Sequence, residues 1–151
     1  MSPTPLEVVV EPDRFEVVTE DVLLRATLQS AIAVCVFDSV DEAGALLHLR
    51  FVVREGKNVD VTDTTLATEL LLLDRCVQTL RDAAPAARNL HARIAAHLPP
   101  ASTARAACDS VLTLVGHFMS DIGAEVSPPD LALGAPRQLL FRPCMGLLQI
   151  R

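Results

Sequence analysis

The side chains with chemistry to offer are few and dispersed. Cys35, Cys76, Cys108 and Cys144 supply thiols, and His48, His91, His97 and His117 supply imidazoles. No two cysteines form a C-x-x-C pair, and the histidines lack metal-ligand spacing. His91 and His97 are six residues apart, which puts them on different helix faces or far apart along a strand. The pattern predicts no zinc site, no other metal and no cofactor. The cysteines read as small apolar fillers of a reduced interior. One segment stands out for its pattern: residues 28–38, LQSAIAVCVFD, followed by Gly44-Ala45-Leu46-Leu47-His48.

The elements that must position these residues are strands. Residues 6–10 are mostly β-branched and apolar, and Pro12-Asp13 breaks the run. Residues 15–18 give a second short strand before a turn at Glu20-Asp21. Residues 31–37 are apolar throughout, the mark of a strand buried on both faces. Residues 45–53 read as the next strand, with Arg50 and Arg54 toward solvent. The simplest pairing is an antiparallel hairpin that brings residue 31 near residue 48.

Helical spacing follows. Leu66, Leu70, Leu73, Val77 and Leu80 predict a helix to about Asp82, capped by Asp63 or Thr64. Residues 89–95 alternate like an internal strand. Pro99-Pro100 and Ser102 make a loop and cap before a second helix over residues 104–122, stopped by Gly123. A short strand at Glu125-Val126 and a closing hairpin around Met145-Gly146 complete the chain. Pro128-Pro129 reads as a loop. With no repeat and no long linker, residues 1–151 are expected to form one α/β domain.

The segments 28–38 and 44–48 resemble the signature of the bacterial chemoreceptor glutamine deamidases, the CheD family. There the first segment runs T-L-x-L-G-S-C-V-A-V-C-L-Y-D and the second G-G-M-x-H. Weaker matches follow in the family's order. Pro12-Asp13-Arg14-Phe15 takes the place of its P-G-[DE]-[YF] turn, and residues 90–95 take that of its L-x-A-K-[IV]-[FA] strand. Ala104-Arg105 stands at its helix start. Asp130-Leu131, residues 137–141 and Met145-Gly146 parallel its C-terminal motifs. The resemblance implies a layered β-sandwich with flanking helices, α/β (α+β) in class and related to the deamidating toxin domains. It also implies protein-glutamine deamidation by a cysteine nucleophile with a histidine base.

The departures from the family pattern fall on the chemistry. The G-S-C positions hold Gln29, Ser30 and Ala31, so the nucleophile position carries no sulfur, while His48 occupies the base position. The family's opening threonine falls on Arg25, with Thr27 nearby. The glycines after the L-x-A-K strand and after Asp130 are replaced by Ala96-His97 and Ala132-Leu133, which narrows close backbone approach to a substrate. Cys35 is four residues beyond Ala31, about 13 Å along the strand, and matches the family's second, non-catalytic cysteine. Ser30 faces away and would need stronger activation than a thiol. His48 reads either as a structural side chain or as a polar contact in a surviving groove with Thr27, Gln29, Ser30 and Gly44.

A net charge of −6 and five aromatic residues, all Phe, argue against nucleic-acid binding. No apolar run approaches the ~20 residues of a membrane span, and Met1-Ser2-Pro3-Thr4-Pro5 lacks signal-peptide features. A cytoplasmic protein without membrane insertion is expected. The resemblance implies chemoreceptor cytoplasmic helices or a CheC-type phosphatase as partners. Three readings stay open: an inactive deamidase homologue that binds or regulates, an active deamidase or its engineered Cys-to-Ala trap, and a scaffold outside chemotaxis.

Overall fold

The computed structural model describes residues 5–38, 40–50, 64–100 and 105–151. The element order is β1 (Leu6–Val9), β2 (Arg14–Val18), β3 (Val22–Leu28), β4 (Ala31–Asp38), β5 (Ala43–Arg50), α1 (Thr64–Ala83), β6 (His91–Leu98), α2 (Arg105–Asp121), β7 (Glu125–Val126), β8 (Asp130–Leu133), β9 (Arg137–Arg142), a 3-10 turn (Pro143–Met145) and β10 (Leu147–Ile150). The fold is mixed α/β. A four-stranded sheet runs β1-β3-β9-β10, and a six-stranded sheet runs β2-β5-β4-β6-β7, with β8 also paired to β6.

The central strand β4 explains the layering. Its buried residues divide by parity. Ile32, Val34 and Val36 join Leu73, Cys76, Val77 and Leu80 of α1 and Cys108, Val111, Leu112, Val115 and Met119 of α2 in one core. Ala31, Ala33 and Cys35 turn the other way, toward Leu24, Ala26, Leu28, Leu139 and Phe141 of the smaller sheet. The layers therefore run small sheet, large sheet, helices. Alanines of the large sheet face the bulkier residues of the small one, so the two inner faces interdigitate.

Several expectations meet their elements closely. The apolar run of residues 31–37 is β4, and β5 pairs with it antiparallel. Gly123 does end α2: at φ 90° it lets its N–H reach Ser120 O at 3.0 Å while Ala124 N reaches Met119 O at 3.0 Å. The expected β6 begins two residues later and runs further, over His91–Leu98. Two strands were not foreseen. In β3, Leu23 lies outward between buried Val22 and Leu24, which blurs the alternation. In β8, the residues follow two prolines, and parallel pairing to β6 is set by distant partners, Ala95 to Asp130 through Leu98 to Leu133. The caps at residues 63–64 and 102, the strand residues 51–53 and Arg54 lie outside the described side chains.

Candidate functional site

The site around position 31 is built where the chain crosses between sheets. β3 belongs to the small sheet and β4 to the large one, and only Gln29 and Ser30 join them. Ser30 makes the turn in a left-handed conformation, φ 49°, uncommon for a residue with a Cβ. Ala31 then opens β4, fully buried between the sheets. Its direct neighbours across the ladders are Arg50 on β5 and His97 on β6.

His48 pairs with Ala33, two residues along from Ala31. It therefore shares the inter-sheet face with Ala31 but sits diagonally from it, at a Cβ separation of roughly 7 Å for such a pair. The ring is 2% exposed. Its Nδ1 lies 2.9 Å from Val10 O; a carbonyl can only accept, so Nδ1 carries a proton. Asp13 holds the same end of β5. It sits at φ 61° and donates its N–H to His48 O at 2.7 Å. Its carboxylate accepts from Arg50 N at 3.1 Å and Arg50 Nη2 at 3.0 Å.

On the opposite flank stands His97, 1% exposed. Its Nδ1 accepts the Ser30 N–H at 3.0 Å, and its Nε2 donates to Gly134 O at 2.7 Å. One imidazole thus ties the β3–β4 turn, β6 and the β8–β9 loop together. Arg137 braces the same corner: Nη1 reaches Ala96 O at 3.3 Å and Asp130 Oδ1 at 3.1 Å, and Nη2 reaches Asp130 Oδ2 at 3.1 Å. Such a two-point guanidinium–carboxylate contact fixes both groups.

The structure separates Thr27 and Gly44 from this corner. Thr27 is exposed on the outer face of the small sheet, its Oγ1 3.1 Å from Gln138 Oε1, and points away from His48. Arg25 shares that outer face and pairs with Glu7 at 2.6 Å. The reason is the crossing at residues 29–30: strand parity does not carry over from one sheet to the other. Gln29 is exposed in the turn and Ser30 is half-buried there. Gly44 lies at the far end of β5, opposite Phe37, six residues from Arg50 and so about 20 Å from the corner. A Cβ on Gly44 would collide with the Pro143 ring and stand 2.6 Å from Val36 O. Its role is close packing.

The four thiols lie elsewhere than position 31. Burial pushes the Cys35 thiol far above its ordinary value, Cys76 up to about 12 and Cys108 up to about 11. Thiolates form at low-value, accessible sites, so these three are chemically quiet. Cys144, also raised by burial and by donating to Asp21 Oδ1 at 3.0 Å, sits on the 3-10 turn away from His48. Asp38, within the motif, accepts from the backbone N–H groups of Val40, Asp41 and Asn89, which makes it a buried turn brace. Among the described residues no group of three or more His, Cys, Asp or Glu could hold a metal ion.

Asp13, Arg50, His97 and Arg137 were absent from the expected groove. A polar residue inside the apolar run Ala95-Ala96-His97-Leu98 was the available signal for His97, since buried polar groups are held by partners. No family model and no curated protein matches the sequence. No described helix is long and apolar enough to cross a membrane.

Proposed function

We propose that the chain is a catalytically inactive relative of the CheD deamidases and acts in the cytosol as a binding or regulatory module of chemotaxis signalling. One observation carries this reading: at the corner matching the family's G-S-C motif, Ala31 is buried and the adjacent Ser30 N–H is already bonded to His97. Amide hydrolysis through a thioester needs a sulfur, a base and free backbone donors for the oxyanion. The sulfur is absent and the Ser30 N–H beside it is occupied. Only an imidazole at the family's base position, His48 with Nδ1 turned to Val10 O, is retained. The layered sheets with helices on one face are the architecture that the resemblance implies, which supports inheritance of the fold without the reaction.

The surface left to such a protein is one for recognition, and the proposed partners are receptor cytoplasmic helices or a CheC-type phosphatase. The test is affinity between the purified chain and each immobilised candidate. Saturable binding to one of them is expected, weakened by substitutions at exposed Gln29 or at Asp13 and Arg50 on the rim. Absence of binding to both would overturn the chemotaxis reading in favour of a scaffold in another system.

A further inference from the structure

We propose that His97 is an acid-released latch on the backbone beside position 31. The argument rests on which way each hydrogen bond runs. His97 accepts at Nδ1 from Ser30 N–H (3.0 Å) and donates at Nε2 to Gly134 O (2.7 Å). That pair of bonds requires the neutral ring protonated at Nε2. An imidazolium has no lone pair, so a second proton on Nδ1 would point at the Ser30 N–H and drive it off, while the bond to Gly134 survives. His48 differs. Its bond to Val10 O is a donation from Nδ1 and persists in either charge state. Of the two histidines in the inter-sheet layer, only His97 makes a contact that protonation must break.

The charged groups brought to this corner are paired with one another. The turn and β4 bring Gln29, Ser30, Ala31 and Ala33, none of them charged. β5 brings His48 and Arg50, the latter paired with Asp13 at 3.0 Å. β8 brings Asp130 and β9 brings Arg137, and these two are paired with each other at 3.1 Å. The loop contributes Gly134. The carboxylates of Asp13 and Asp130 are thus each committed to an arginine. Acid therefore favours withdrawal of the ring from Ser30, and Ser30, held at φ 49°, loses the partner that fixes its amide. For the binding reading proposed above, on which this consequence rests, acid would uncover a backbone donor at the rim of the groove.

The test uses the free chain, with no partner present, so the latch can fail independently of the binding reading. The Ser30 amide and the His97 ring are followed by NMR through an acid titration. The Ser30 amide shift is expected to trace the same curve as the His97 ring, and its hydrogen exchange, corrected for intrinsic pH dependence, to rise about tenfold or more. His97→Gln keeps an acceptor and a donor without a titrating ring and should flatten the response, whereas His48→Gln should leave it intact. A Ser30 amide that stays unchanged while His97 titrates would overturn the latch. So would a wild-type response that persists in His97→Gln. Should His97→Gln not fold, the coincidence of the two wild-type curves decides the matter.

Discussion

Replacing His97 by alanine probes how much the corner depends on one side chain. The imidazole is 1% exposed and bonds two backbone groups, Ser30 N–H and Gly134 O. Leaving a buried donor or acceptor unmet costs about 1–3 kcal/mol each. Ser30 is half-buried and can recover part of its bond from water, so the sum falls near the lower end, about 3 kcal/mol for the two together. Removing the ring also empties space between tightly packed strands, while alanine loses less rotamer freedom on folding; these opposing terms are each about 1 kcal/mol and nearly offset. A net loss of about 3 kcal/mol is a large share of the 5–15 kcal/mol typical of a folded domain. With a urea m-value of about 2 kcal/mol/M, the midpoint should fall by about 1.5 M. Thr27→Ala, an exposed residue whose hydroxyl bonds exposed Gln138, serves as the control and should stay within about 0.5 kcal/mol of wild type. A His97→Ala midpoint within experimental reach of Thr27→Ala would refute the claim that His97 holds this corner.

Gly44→Ala should destabilise by about 1–3 kcal/mol, because the added Cβ meets the backbone oxygen of Val36 as well as the Pro143 ring; a neutral result in the same urea assay would contradict the packing role. The Asp21 carboxyl is lowered from 3.8 to about 2, chiefly by its hydrogen bonds from Arg142 and then from Cys144. A depressed folded value means that the contribution is present above the unfolded value and is lost as pH falls from about 4 toward about 2. Asp21→Asn should accordingly remove a small acid-side loss of stability in that window, and an unchanged acid limb would count against the pairing. Ala31→Cys should restore little or no deamidation, since the thiol would face an occupied Ser30 amide and a diagonal His48; activity matching a working deamidase would identify Ala31 as a recent or engineered loss.

The layering was legible in β4, whose residues are apolar on both faces, and in the helical stripes of α1 and α2. Gly123 was legible as a stop because no partner beyond the helix end is needed to read it. The hairpin that brings residue 31 near residue 48 was legible too, while the exact ladder, with His48 opposite Ala33 and Arg50 opposite Ala31, was not. Thr27 shows a deeper limit. Parity along a strand locates faces only while the chain stays in one sheet, and the two-residue crossing at Gln29-Ser30 ends that. His97 was visible as a histidine in an apolar run, yet its partners come from residues 30 and 134, far apart in sequence. β8 was hidden for the same reason, its pairing residues lying more than thirty positions away on β6.

The most direct measurement is mass spectrometry of a chemoreceptor cytoplasmic fragment after long incubation with the wild-type chain. The receptor glutamines should remain glutamines, with the fragment's mass unchanged even where it is bound. Conversion of glutamine to glutamate by the wild-type chain would contradict the inactive reading and require a nucleophile other than residue 31.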